Sequence, residues 1–153
     1  SSVDVMDLQN QSVLASSRQS LLKSGSTVGQ GGGDLSSDLM AFELTSSCRL
    51  KPFQFYGGLA PRGTRVWVLS KEINTPGYEA DRYAGTVSSA NPSGLVIDMD
   101  GPVSALSSSG APVINSKNEL VGMMVGTGDD QRKVIMAIPS TSLLRRLYTE
   151  IGQ

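Results

Sequence analysis

The sequence contains no histidine among its 153 residues. A chain without an imidazole cannot by itself supply the base of a Ser-His-Asp triad, and it lacks the commonest transition-metal ligand. Its one cysteine, Cys48, excludes an intrachain disulfide and a cysteine-rich zinc site. A lone cysteine is compatible with a reducing compartment but assigns none. The sequence therefore predicts no metal ion and no cofactor.

Charged residues are also scarce, at 18% of the chain, and their formal sum is -1. Nucleic-acid-binding domains need clustered Lys and Arg, so no nucleic-acid partner is predicted. No apolar run approaches the roughly 18 residues of a membrane-spanning helix, and residues 1–10 show no leader pattern. We expect a soluble protein without a membrane partner, whose compartment the sequence leaves open.

The patterns that are present predict an all-β fold. Val3 to Leu8 and Val13 to Ala15 nearly alternate apolar with polar residues, which predicts a hairpin, and residues 25–34 are a loop by composition. Further short apolar runs are separated by turn residues, as in barrels and sandwiches. These predicted strands are 39–44, 65–69, 83–87, 95–99, 112–114, 120–125 and 134–138. Trp67 and the pair Met123-Met124 are expected in the core.

The end of the chain changes to a helical period. Leu143, Leu144, Leu147, Tyr148 and Ile151 recur every three to four residues, which predicts an amphipathic helix packed on the barrel. The helix is expected to start at an N-cap, Ser140, and to stop at Gly152. The predicted organisation is an N-terminal β-lobe (1–48), a second β-lobe (49–139) and this helix (140–153).

One serine-rich segment indicates chemistry. Residues 107–113 read Ser-Ser-Ser-Gly-Ala-Pro-Val, and a strand, a turn and the glycine-containing strand Leu120 to Gly126 follow. This order resembles the trypsin-like (chymotrypsin-fold) serine peptidases, particularly the compact bacterial members. In that family a Ser-Gly-x-Pro stretch carries the nucleophile, which Ser109 matches.

Two further patterns extend the resemblance over most of residues 3–150. Residues 38–44 read Asp-Leu-Met-Ala-Phe-Glu-Leu, which is similar to the family strand that carries the triad aspartate. Residues 136–139, Met-Ala-Ile-Pro, precede the terminal helix, as the family's closing strand does. The resemblance implies a double β-barrel with a C-terminal helix, in which the first barrel is incomplete.

The resemblance also implies roles for individual residues. Ser109 would attack the peptide carbonyl, and Asp38 would orient an imidazole. The backbone amides of Ser107 and Ser109 would form the oxyanion hole, although the family usually has glycine where Ser107 stands. The implied substrate-binding residues are Val103, Val125, Gly126 and Thr127. Because no acidic residue occupies the place of Val103, a small or apolar substrate side chain is expected.

The missing histidine leaves two explanations open. Either residues 3–22 correspond to the hairpin that follows the histidine, which a preceding segment or a second chain then supplies, or residues 13–18 are a decayed histidine segment. In the second case Arg18 or Gln19 stands in its place, and neither can act as a base. The sequence therefore predicts a trypsin-like serine endopeptidase, inactive as this chain alone, or alternatively an inactive pseudo-peptidase that binds a polypeptide partner as a scaffold module.

Overall fold

The computed structural model describes residues 3–22 (apart from 8 and 10), 39–44, 48, 50–71, 76–77, 79–104 and 108–151. Within these ranges lie ten strands and one helix. The first four strands are β1 (Val3–Asp7), β2 (Ser12–Ser17), β3 (Gln19–Leu22) and β4 (Ala41–Glu43). The others are β5 (Arg65–Ser70), β6 (Asp81–Asn91), β7 (Gly94–Met99), β8 (Pro112–Ile114), β9 (Leu120–Thr127) and β10 (Val134–Pro139), followed by α1 (Ser140–Ile151).

Strands β5 to β10 close into a barrel in the order β10-β7-β6-β5-β8-β9. All of its pairings are antiparallel, and the meander β5-β6-β7 joins the meander β8-β9-β10 at two seams. At one seam Ile135 pairs with Ile97, and at the other Trp67 pairs with Ile114. Because the sheet closes on itself, each of these strands has a neighbour on both sides, and no long edge is left unpaired.

The barrel core includes the inward positions of β5 and β7, along which buried and less buried side chains alternate. In β5 the side chains of Val66 and Val68 are fully buried, whereas that of Trp67 is half-buried on the outer face. The expectation that Trp67 is a core residue is therefore wrong, because its two valine neighbours take the inward positions. The guanidinium of Arg82 lies 5.5 Å from the centre of the Trp67 ring, which is a cation–π contact.

Close packing between β6 and β7 explains a glycine in the middle of a strand. A Cβ atom at Gly85 would lie 2.8 Å from the carbonyl oxygen of Asp98 and 2.5 Å from the sulfur of Met99. No real side chain tolerates such contacts, so only glycine lets the two strands approach here. This approach brings the end of β7 against the barrel core.

The first part of the chain forms two small sheets. Strands β1 and β2 make the predicted hairpin, in which Val5 pairs with Ala15. Strands β3 and β4 form a second two-stranded sheet, and the predicted strand 39–44 is shorter than expected. Several large apolar side chains of this region are exposed, among them Val3, Met6, Val13, Met40 and Leu44. The two sheets bury far less apolar surface than the barrel does.

Helix α1 packs across the junction of the two regions. Leu143 is buried in a cluster with Leu39, Val125 and Ile138. At the start of the helix the hydroxyl of Ser140 donates a hydrogen bond of 3.1 Å to the carbonyl of Tyr56, which ties the helix to the segment before the barrel. In the described part of the chain, no helix has the length and apolar character required to cross a membrane.

Candidate active site

Ser109 lies in a tight turn directly before β8. The carbonyl of Ser108 accepts a 2.9 Å hydrogen bond from the amide of Ala111, and Gly110 has a φ of +87°. These features define a type II turn, whose third position requires positive φ and so favours glycine. The Ser-Gly pair thus fixes a turn that leaves Ser109 exposed at its second position.

The turn is attached to the neighbouring strand β9 by backbone hydrogen bonds. The amide of Gly110 donates to the carbonyl of Met124 at 2.7 Å, and the amide of Met124 donates to the carbonyl of Ala111 at 2.9 Å. The Ser109 Oγ lies 3.4 Å from the carbonyl oxygen of Val125. That distance is longer than an ordinary O–H···O bond, so the hydroxyl is not held firmly by the strand. Ser109 is a well-anchored residue with a loosely held hydroxyl.

A buried chain of hydroxyl groups lies directly behind the turn. Ser108 is fully buried, and its hydroxyl donates to the carbonyl of Ser104. Ser70 Oγ, at the end of β5, lies 2.9 Å from Ser108 Oγ. Because Ser108 has one hydroxyl proton and a carbonyl only accepts, Ser70 must be the donor to Ser108. Ser70 of the barrel and Ser104 of the connection after β7 therefore hold the residue before Ser109 through two hydrogen bonds of its hydroxyl.

Ser109 opens onto an apolar groove of about 310 Å³. The groove lies between the segment that leads into β4 and the middle of β9, and none of the described residues that line it is charged. Its lining residues are Leu39, Met40, Ser109, Gly110, Met123, Met124 and Val125. The exposed Met40 and the half-buried Met123 form its accessible walls. This groove can receive an apolar group next to the Ser109 hydroxyl.

A second cavity, of about 230 Å³, has a different character. It lies beside the 102–104 segment and is lined by Tyr83, Pro102, Val103, Ser104 and Arg132. Val103 is fully buried, and its amide donates to the carbonyl of Arg132 at 3.0 Å. Arg132 is a cationic residue of this cavity, whereas the described residues that line the groove at Ser109 include no cation.

The residues predicted for the site are distributed over both places. Ser109 and Val125 line the groove, and Val103 lines the second cavity. Gly126 and Thr127 continue β9 beyond Val125 and pair with Met136 and Ile135. Asp38 and Ser107 lie outside the described residues. Leu39, the neighbour of Asp38, is buried in the groove.

Solved structures resemble this arrangement. No protein-family model matches the sequence, and no curated protein matches it significantly. Kallikrein-related peptidase 10, in complex with Zn²⁺, superposes with a TM-score of 0.66 over 94% of this chain and 76% of its own length. A mutant of human heparin binding protein (CAP37) gives 0.64 over 97% and 74%. Both are 15% identical to this chain. The chain has the trypsin-like serine protease fold.

The Rv3671c protease of M. tuberculosis has the same trypsin-like serine protease fold over a smaller part of its length. Its inactive form, a serine-to-alanine mutant, matches with a TM-score of 0.59 and 16% identity. The match covers 74% of this chain and 58% of that one, so this chain spans less than two thirds of that protease. The predicted fold class is confirmed, and at these identities the likeness concerns the fold.

Sequence reasoning missed the residues that support the site from other elements. Ser70 stands at the polar end of an apolar strand, and Arg132 lies in the turn between β9 and β10. Neither residue belongs to a local sequence motif, because each comes close to the site only when the barrel closes. Met123-Met124 was expected in the core. This is correct for Met124, which is buried, whereas Met123 is half-buried at the groove.

Proposed function

We propose that this chain is the nucleophile-bearing part of a serine endopeptidase, with Ser109 as the nucleophile. The observation that carries the proposal is the exposed hydroxyl of Ser109 on a type II turn, next to an apolar groove, in a trypsin-like serine protease fold. A nucleophilic serine must be presented to both substrate and base, and the turn at Gly110 does so.

The proposed chemistry is acyl transfer. The Ser109 Oγ bonds to the carbonyl carbon of the scissile peptide, and its proton passes to an imidazole. The C–N bond then breaks, the imidazole returns the proton to the leaving amine, and water hydrolyses the acyl-enzyme by the same route. The loosely held Ser109 hydroxyl supports this role, because a proton held in a short hydrogen bond to the Val125 carbonyl would not be available to an imidazole.

Two groups complete the proposed machinery. Asp38 would orient the imidazole, and the burial of its neighbour Leu39 in the groove beside Ser109 supports that assignment. The backbone amides of Ser107 and Ser109 would stabilise the oxyanion. Val125, Gly126 and Thr127 would contact the substrate, which favours β9 as the strand along which the polypeptide lies.

The general base must come from outside these 153 residues, which contain no histidine. We propose a preceding segment or a second chain as its source. The size of the effect makes this source essential, because loss of the triad histidine alone lowers kcat by a factor of about 2 × 10⁶ in a serine protease such as subtilisin. The 153-residue chain alone is therefore expected to show no measurable peptidase activity.

The test is active-site labelling of the full-length gene product with a fluorophosphonate, followed by mass spectrometry of the modified peptide. We expect a single adduct on Ser109, because only an activated serine reacts at an appreciable rate. Ser109→Ala should abolish labelling. Ser116→Ala, which removes an exposed hydroxyl from the turn before β9, is the matched control and should leave labelling unchanged. A folded full-length protein that gives no adduct on Ser109 contradicts the proposal.

A second candidate is a non-catalytic polypeptide-binding member of the fold, which the absence of histidine favours. In that case the gene product has no histidine positioned to reach Ser109. The groove would still accept an apolar side chain of a bound partner. The same labelling experiment separates the two candidates, because the binding module gives no adduct while remaining folded.

A further inference from the structure

We propose that the cavity beside Ser104 binds the carboxylate of an acidic side chain from a polypeptide. This inference rests on the proposed function, since it names the substrate class of that site as peptides with Asp or Glu. It is carried by two residues that line one cavity. Ser104 precedes Ser109 along the chain and has a buried hydroxyl without a partner among the described residues, and Arg132, from the turn between β9 and β10, forms no ion pair within the same residues.

The buried hydroxyl belongs to Ser104. Its Oγ is shielded from solvent and has no hydrogen-bond partner among the described residues. The backbone carbonyl of Ser104, by contrast, accepts a hydrogen bond from the hydroxyl of Ser108. A buried hydroxyl without a partner costs free energy, and such groups in folded proteins call for an explanation. Ser104 lines the cavity, so a ligand oxygen bound there would give this hydroxyl an acceptor once the side chain turns toward it.

The cation belongs to Arg132. Its backbone lies in the left-handed region, with φ at 59°. Two hydrogen bonds hold it there: the amide of Arg132 donates to the carbonyl of Asp129, and its carbonyl accepts from the amide of Val103. Within the described chain its guanidinium forms no ion pair. The carboxylate of Asp129 accepts instead from the backbone amides of Lys133 and Val134. Arg132 therefore keeps an available positive charge, and a guanidinium recognises a carboxylate in a planar, two-bonded geometry.

The cavity is connected to Ser109 through a short rigid path. Ser104 accepts from Ser108, and Ser108 directly precedes Ser109 on the turn. A side chain held at Ser104 would therefore lie close in the structure to the proposed nucleophile. The inference replaces the small or apolar preference expected from Val103, because Arg132 lines the same cavity as Val103.

The test is equilibrium binding of short blocked peptides to the ¹⁵N-labelled chain, followed by amide NMR. The probes are acetyl-Ala-Ala-Pro-Glu-amide, its Gln counterpart and acetyl-Ala-Ala-Pro-Ala with a free carboxylate. We expect the Glu peptide to shift the Val103 amide signal and to bind about tenfold or more tighter than the Gln peptide. The Leu120 amide, which bonds to Gln54 at another part of the barrel, should not move. The free-carboxylate peptide should bind weakly, because its charge does not extend into the cavity.

Three variants sharpen the test. Arg132→Gln should lower the affinity for the Glu peptide to that for the Gln peptide, whereas Arg62→Gln, the loss of an equal charge from an exposed turn, should not. Ser104→Ala should weaken Glu binding several-fold without loss of thermal stability, because it removes an unsatisfied hydroxyl. A purely structural role for Ser104 would instead lower stability.

Binding needs neither histidine nor attack by Ser109, so the 153-residue chain, which contains no histidine, should bind the Glu peptide without hydrolysing it. The proposed function can therefore fail by labelling while this inference stands, and the reverse is equally measurable. Equal affinity for the Glu and Gln peptides, an equal loss in the Arg62→Gln variant, tighter binding of the free-carboxylate peptide, or no binding at millimolar concentration would each overturn the inference.

Discussion

The barrel formed by β5 to β10 and the two small sheets of residues 3–43 differ in how their strands are paired and in how far their apolar side chains are buried. In the barrel each strand is paired on both sides, and inward side chains such as Val66 are fully buried. Among the residues that the structure describes, each strand of the small sheets has one partner, and Val13 keeps 53% of its surface exposed. Two-stranded sheets are marginally stable alone, so the barrel is expected to carry most of the fold's stability.

This difference bears on the site, which lies where the two regions meet. The barrel supplies Ser109 on an anchored turn, whereas the first region supplies Met40, which is largely exposed. Catalytic and binding residues are commonly held by a rigid scaffold, and the groups that move come from less stable segments. We therefore expect the β9 side of the groove to be rigid and the Met40 side to adjust to a ligand.

The largest predicted effect tests the two regions with one substitution. Val66→Ala removes two methyl groups from a fully buried site and should lower the free energy of unfolding by about 3 kcal/mol, through lost transfer energy and the cavity left behind. Val13→Ala removes the same groups from the exposed hairpin and should cost less than about 0.5 kcal/mol. Urea unfolding followed by tryptophan fluorescence measures both.

The matched pair makes the outcome unambiguous. Trp67, the single tryptophan, lies in β5 next to Val66 and so reports on the barrel. Equal losses in the two variants would show that the hairpin is as well packed in solution as the barrel. That result would contradict the expectation that the barrel carries most of the stability and that the Met40 side of the groove adjusts to a ligand.

The same contrast decides what could be predicted from the sequence. Strands β5, β7 and β10 were predicted within a residue at each end, because alternation and flanking turns are local signals. Strand β6 extends to Asn91, four residues beyond the predicted end, because its polar end pairs with β7 across a tight turn. The β3–β4 pairing joins Gln19 to Glu43 and was not predicted, because no local pattern specifies a partner so far along the chain.

For the candidate site, the sequence predicted what is local and missed what depends on barrel closure. The Ser-Gly pair at 109–110 indicated a tight turn, since glycine adopts the positive φ found there more readily than other residues. The bond between Ser70 and Ser108 joins residues 38 positions apart, and the sequence gives no sign of it. Arg132 reaches its cavity through the same three-dimensional closure.

A smaller effect separates the hydroxyl groups behind the turn. Ser108→Ala leaves the Ser104 carbonyl and the Ser70 hydroxyl without their partner and should lower the free energy of unfolding by about 1–2 kcal/mol. Ser70→Ala leaves the bond from Ser108 to Ser104 intact, so its cost should be smaller. Thermal unfolding of the two single variants and the double variant gives their coupling. Additive losses would show that the two hydroxyl groups do not act together.

The smallest predicted effect concerns the outer surface of the barrel. Arg65 donates hydrogen bonds to Asp100 from Nη1, at 2.9 Å, and from Nη2. These hydrogen bonds, with the attraction between the charges, lower the pKa of Asp100 below its ordinary value. A lowered carboxyl pKa stabilises the fold above the ordinary value near 4 and loses that contribution as the pH falls through the folded-state pKa. Both side chains are exposed, so the contribution should be small and screened by salt.

Asp100→Asn should therefore flatten the fall in melting temperature below pH 4 slightly, at low ionic strength, relative to the wild type. Asp130→Asn, which removes the same charge from an exposed turn, should leave that slope unchanged, and an identical change in both variants would mean that net charge rather than the Arg65 contact governs it.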